Sequence, residues 1–237
     1  MSAPPTTPTP GTIMGTDRAG APVSLGRDQH LLITGAAGSG KSHLAATIVA
    51  AHLDADAHVY VAGTQRTLAD YAPFAYRLAG IATTAWDAHT LIQCVRTLTD
   101  NRLEGGANTD DPVLLVIDDA HVLLASDPTT TPAQLVDLDR LRTALTGLLT
   151  AARGVAVQVV IATQSPSRQL GLPPAATFDA RVSLGPTTGL ARVALFGAGG
   201  APAVAGRHDA VIQIGDQEPH RIDLAHAQTH LPESKAS

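Results

Sequence analysis

Short apolar runs closed by glycine or polar residues alternate along the chain with longer stretches of helical period, a pattern that predicts parallel strands joined by crossover helices. Residues 30–34 form the first run, which ends in glycine-rich sequence and passes directly into a helix over 41–50. A second run at 57–61 precedes a helical stretch at 68–78, and residues 88–102 set Leu91, Val95 and Leu98 on one helical face. Val113–Ile117 is apolar at every position, the pattern of a central strand covered on both faces. Leu138, Leu141, Leu145, Leu148 and Ala152 recur at helical spacing and predict an amphipathic helix over 135–153. A further buried strand is predicted at 157–162, with weaker ones at 181–184 and 211–214, while 104–111 and 126–132 read as loops. The fold class is α/β: a mainly parallel central sheet with helices on both faces.

The two ends depart from this pattern. Residues 1–13 are rich in proline and threonine and are expected to be a disordered leader; 226–237 reads as a polar tail, leaving one domain over 14–225. A chain of 237 residues suits a single α/β domain with its own core. With Phe 3, Trp 1 and Tyr 3, that core must be built from Leu, Val, Ile and Ala, and an aromatic platform for stacking bases is not expected. The net charge of −5 excludes a broadly basic nucleic-acid surface but permits a local basic patch. A single cysteine, Cys94, excludes an internal disulfide and a cysteine zinc cluster and suits a reducing compartment. No secretory signal opens the chain and no run approaches the ~18 apolar residues of a membrane span. A cytoplasmic chain without direct membrane insertion is therefore expected. The ten histidines lack metal-ligand spacing and are expected at the surface or in turns.

Gly35, Ala36, Ala37, Gly38, Ser39, Gly40, Lys41 and Ser42 match G-x-x-x-x-G-K-[ST] in full, between a predicted strand and a predicted helix. Glycines at these positions let backbone N–H groups curl around phosphate oxygens at a helix N-terminus, where unpaired donors already favour anions. Lys41 is expected to reach the β- and γ-phosphates of ATP, and the Ser42 hydroxyl to ligate Mg2+. Asp118 and Asp119 follow Val113–Ile117, at the tip of what is expected to be a neighbouring strand. Asp118 suits the Mg2+ shell; Asp119 is placed either to orient the attacking water or to cap the helix that begins at Ala120. Gln164 closes the 157–162 strand, as a γ-phosphate sensor or as a turn residue ahead of Ser165-Pro166.

These pieces, in this order, resemble the FtsK/SpoIIIE branch of the FtsK–HerA P-loop ATPases, which includes plasmid-transfer proteins and type VII secretion ATPases. The resemblance covers about 15–225. It begins with Gly15-x-Asp17-x-x-Gly20-x-Pro22-Val23, takes in the P-loop and the acidic pair, and continues through Ala162-Thr163-Gln164-Ser165-Pro166 and Phe178-Asp179-Ala180-Arg181-Val182. It implies a RecA-like core, a ring of subunits, expected to be hexameric, with ATP between them, and double-stranded DNA as the moved polymer. A membrane-anchored or secretion protein is a further implied partner. It also implies a trans-acting arginine on the helix before the acidic motif. Arg102 is the nearest match, with a solvated helix-end cation as the plainer reading; Arg181 would contact nucleotide or the next subunit, or serve as an ordinary ion-pair partner.

Two departures divide the functional readings. The acidic pair is Asp-Asp where motor members usually have Asp-Glu, and Ala62-Gly63-Thr64-Gln65 replaces an Asp-Pro-Lys-like motif. The first reading is an ATPase coupled to DNA translocation or transfer. The alternative is a weakly hydrolysing ATP-binding docking module like the degenerate units of type VII secretion. A loader-type AAA+ ATPase would explain the acidic motif but not the segment around Asp17 and Pro22.

Overall fold

The computed structural model describes residues 11–105, 111–124, 130–164, 177–186, 188–197, 201–204 and 209–224. Along the chain come β1 (Thr12–Thr16), β2 (Pro22–Leu25), β3 (Leu31–Gly35), α1 (Lys41–Leu53), β4 (His58–Ala62), a 3-10 segment (Thr67–Arg77), β5 (Gly80–Ala82) and α2 (Ala85–Leu103). There follow β6 (Val113–Ile117), α3 (Ala120–Leu123), α4 (Pro132–Ala151), β7 (Val157–Thr163), β8 (Ala180–Leu184), α5 (Gly189–Phe196), β9 (Asp209–Ile214) and β10 (His220–Asp223). The strands form one sheet in the order β2-β1-β10-β9-β8-β3-β7-β6-β4-β5. From β8 to β5 neighbours run parallel; from β8 to β2 they run antiparallel.

The period-two alternation of strand side chains divides the core into two layers. Leu31, Ile33, Leu114, Val116, Val160 and Ala162 point to the face covered by α1 and the 3-10 segment. Leu32, Leu115, Ile117, Val159 and Ile161 point to the face covered by α2 and α4. Strands covered on both sides have no polar face, so their sequence is apolar throughout. The stripe of α2 runs along Ala88, Ile92, Val95, Thr99 and Arg102, with Leu91 and Leu98 at its flank instead of its centre. α4 begins earlier than its leucines suggest: Thr131 and Gln134 form a capping box and Pro132 takes the first turn, where its missing N–H is harmless. Where a helix is expected over 68–78 the chain forms the 3-10 segment Thr67–Arg77 instead, with Pro73 inside it.

β1 begins inside the expected leader, so Thr12 and Ile13 are paired in a hairpin; the expected 226–237 tail lies outside the described residues. The Gly15-to-Pro22 motif is turn chemistry: Asp17 Oδ1 accepts the N–H groups of Ala19 at 2.8 Å and Ala21 at 2.9 Å. Pro22 then opens the edge strand, the first position of a strand being one where proline's missing donor is tolerated. This hairpin is separated from β3 by β10, β9 and β8.

Two histidines are core residues, contrary to the expectation of surface positions. His30 is fully buried: Val159 N–H donates to its Nδ1 at 3.2 Å and its Nε2 donates to Leu149 O at 3.1 Å, which selects the neutral Nε2–H tautomer. Burial holds its pKa below the ordinary value. His52 donates from Nδ1 to Ile48 O at 3.0 Å, and burial lowers its pKa to about 4. An unfolded His52 takes up a proton near pH 6.5 and the folded one only near pH 4, so stability is complete above 6.5 and is lost as the pH falls through 4. Urea unfolding at pH 7.5 and pH 5 should differ by about 2 kcal/mol on account of His52, and His52→Leu should remove that share of the pH dependence; an unchanged slope in the variant would contradict this assignment.

Candidate functional site

The site is assembled at the C-terminal tips of the parallel strands. β3 ends in Gly35, where a Cβ would stand 2.7 Å from Leu184 O on the adjacent β8, so no side chain fits. The loop turns into α1 at Gly40, whose φ of 94° lies in the left-handed region. Lys41, 6% exposed, folds back over the loop: its Nζ donates to Gly35 O at 2.9 Å and Ala36 O at 2.8 Å. Burial depresses the lysine pKa, while Asp119 and then Asp118 act to raise it. Ser39 Oγ is buried without a hydrogen-bond partner. Ala37, Gly38, Gly40, Lys41 and Ser42 form one wall of a cavity of about 420 Å³, which Gly35, Ala36 and Ser39 do not line.

Asp118 has no solvent exposure. Its Oδ2 accepts the Tyr71 hydroxyl at 3.0 Å, its Oδ1 accepts the Asp119 N–H at 2.8 Å, and the Ser42 hydroxyl also hydrogen-bonds it. Burial raises its pKa, and these three donors pull the other way. Asp119 sits at φ 50°, an uncommon conformation for a residue with a Cβ, at the N-cap of α3. Its side chain makes no capping bond; instead Oδ2 accepts Thr64 Oγ1 at 3.3 Å, and His121 Nδ1 lies 3.9 Å from Oδ1. Asp119 and the exposed Gln164 both line the cavity, facing Lys41 and Ser42.

Two placements differ from expectation. β6 is not the neighbour of β3: β7 lies between them, so Gln164 stands between the P-loop and the acidic pair. Both nominated arginines are buried inside the fold, and neither lines this chain's own cavity. Arg102 is 6% exposed, and its guanidinium donates to Val155 O at 2.9 Å, Ala156 O at 3.3 Å and Asp111 O at 2.6 Å, tying α2 to the residues before β7 and β6. Those are the opposite ends of the strands: the cation stands at its helix end but is buried instead of solvated, and it satisfies backbone carbonyls of its own chain. Arg181 is 5% exposed, pairs across the sheet with Leu32, and donates to Gly215 O at 3.4 Å. Burial holds its pKa below the ordinary arginine value.

The third wall escaped the sequence reading. Arg66, Thr67 and Asp70 line the cavity, and Thr64 Oγ1 lies 3.1 Å from Thr67 Oγ1. Gly63 is needed there because a Cβ would stand 2.8 Å from Thr67 Oγ1. The signal was positional: 63–70 follows the C-terminal end of a parallel strand, the sheet edge at which α/β folds bind ligands. The donor set suits a hard cation, since Ser42 and Asp118 offer oxygens alone and Mg2+ takes one or two protein oxygens together with phosphate and water. Among the described residues no group of three or more His, Cys, Asp or Glu is arranged to hold a metal by itself. Among the described residues, too, no helix is long and apolar enough to cross a membrane.

No curated protein matches the chain in sequence. A family described as an AAA domain matches residues 25–170. The conjugation coupling protein TcpA of pCW3, in its monomer form with ATPγS, superposes with a TM-score of 0.75 at 14% identity, over 94% of this chain and 68% of that one. The cytoplasmic domain of the type VII secretion ATPase EccC from Thermomonospora curvata gives 0.66 at 19% identity, over 91% of this chain and 26% of that one. ATPases 2 and 3 of the same EccC, in complex with a signal sequence peptide, give 0.66 at 19% identity, over 92% and 41%. The chain thus spans only part of each of these proteins. The likeness is one of fold, a RecA-like α/β core.

Because the Tyr71 hydroxyl is one of three donors to a buried carboxylate, Tyr71→Phe should lower the unfolding free energy by roughly 1–3 kcal/mol. Denaturant unfolding of the two proteins measures it, and equal stability would show that the hydrogen bond contributes nothing.

Proposed function

As a member of the AAA domain family, the chain comes from a lineage of P-loop ATPases, and we propose that it binds ATP with Mg2+ in this cavity and hydrolyses it to drive double-stranded DNA through a ring, expected to be hexameric, of its own copies. One observation carries the reading: Lys41, Ser42, Asp119 and Gln164, from three separate strand tips, face a single cavity, with Asp118 directly behind.

Backbone donors of the 35–42 loop and the N-terminus of α1 hold the phosphate chain. Lys41 exchanges its carbonyl partners for phosphate oxygens and neutralises charge at the reacting end. Ser42 and Asp118 would hold Mg2+, which supplies further neutralisation of the phosphates. Asp119 orients the attacking water and accepts its proton, and Gln164 hydrogen-bonds the terminal phosphate or that water. The Thr64 hydroxyl on Asp119 Oδ2 steadies the carboxylate and leaves Oδ1 toward His121. A net charge of −5 leaves a lone subunit poorly suited to hold duplex DNA, so DNA binding is expected from the ring, where each copy adds a few donors. The fold likeness to a conjugation coupling protein supports this reading.

The Asp118-Asp119 pair favours a second reading, since Asp119 is one methylene shorter than the more usual glutamate: a module that binds ATP, turns it over slowly and docks protein. The likeness to secretion ATPases solved with a signal sequence peptide supports that one. ATP turnover with and without linear duplex DNA separates the two. Stimulation by DNA is the expected result; tight ATP binding with negligible turnover in either condition would favour the docking module.

Lys41→Ala should lose nucleotide binding by at least tenfold without unfolding the domain, because its ammonium bonds loop carbonyls instead of the apolar core. Asp119→Asn should keep nucleotide affinity while turnover falls on the order of 10²-fold or more. A folded Lys41→Ala protein with normal affinity, or an Asp119→Asn protein with normal turnover, would remove these residues from their roles.

A further inference from the structure

Resting on the nucleotide-binding reading above, we propose that Arg66 is the second phosphate-binding cation of the cavity and grips the terminal phosphate of ATP from within the same subunit. Both arginines that sequence order nominates are committed to backbone carbonyls inside the fold. Arg66 is exposed and lines the cavity, and among the described residues its side chain makes no hydrogen bond or ion pair.

Its position along the cavity identifies the phosphate. Phosphate binding begins at the tip of β3; Gln164 and Asp119 stand at the tips of β7 and β6, the next two strands, and Arg66 follows β4, one strand further. The cavity therefore runs from the P-loop toward Arg66, which occupies the end where the reacting phosphate must lie for Asp119 to act on it. An Arg66 contact made there is absent when the nucleotide is a diphosphate.

The backbone under Arg66 is held firmly while its side chain is free. Thr64 on one side bonds Asp119 at 3.3 Å; Thr67 on the other donates its N–H to Thr64 Oγ1 at 3.3 Å and its hydroxyl to Thr64 O at 2.9 Å; Tyr71, in the same 3-10 segment, bonds Asp118 at 3.0 Å. A guanidinium on such a base presents a planar fork of donors that matches phosphate oxygens. Charge points the same way. ATP brings roughly four negative charges, Asp70 and Asp119 face the same cavity, and among the described lining residues Lys41 and Arg66 carry the fixed positive charge.

The test compares affinities for ATPγS and ADP, each with Mg2+, in the wild-type chain, Arg66→Gln, Arg66→Lys and Lys41→Ala. Arg66→Gln should weaken ATPγS at least tenfold while ADP stays within twofold, and Arg66→Lys should restore part of the difference because it keeps the charge without the fork. Since Arg66 is exposed, the thermal midpoints of its variants should match wild type. An unchanged ATPγS-to-ADP ratio in Arg66→Gln, or an equal loss for both nucleotides, overturns the assignment of Arg66 even if Lys41→Ala loses binding as expected. Binding that is indifferent to Lys41 overturns the nucleotide site and the Arg66 inference together.

Discussion

Asp118 is a carboxylate with no solvent exposure, and a charge in that position survives only if neighbouring donors replace the water it has lost. Three donors converge on it from three places: Ser42 in the first turn of α1, Tyr71 in the 3-10 segment, and the backbone N–H of Asp119. Satisfying this one group therefore docks the start of the P-loop helix and the segment after β4 onto the tip of β6. The same step draws Lys41 and Asp119 to a common cavity and leaves Arg66 on its wall. Removing a donor is thus both a stability change and a change in the geometry of the site.

The sheet order gives that constraint its chemical meaning. With β7 inserted between β3 and β6, the phosphate loop and the acidic pair stand a strand apart, and Gln164 occupies the interval. A polyphosphate lying across the strand tips would meet backbone donors first, then an amide, then a carboxylate able to orient water. The two apolar layers make this spacing rigid, because every central strand is buried on both faces and register shifts would expose apolar rows.

What could be read from the chain were features set locally. The parallel strands are apolar throughout because they are covered twice, and the P-loop is eight consecutive residues whose spacing is the chemistry. The long-range contacts escaped: Tyr71 meets Asp118 across 47 positions and Thr64 meets Asp119 across 55, with no pattern in the intervening sequence to announce either. The antiparallel hairpin was missed because Gly15 and Pro22 interrupt its alternation and one face stays exposed. Arg102 and His52 misled for a shared reason: residue type suggested solvent, whereas each has backbone carbonyls waiting for its donors inside the fold.

The central claim is that 35–42 and 64–71 are two walls of a single nucleotide site. Backbone amide hydrogen exchange with and without ATPγS and Mg2+ tests it most directly, since it reports both segments at once without altering the chain. Exchange should slow together over 35–42 and 64–71 and stay unchanged in the hairpin over 12–25. Protection absent from 35–42, or protection there with none over 64–71, would contradict the account.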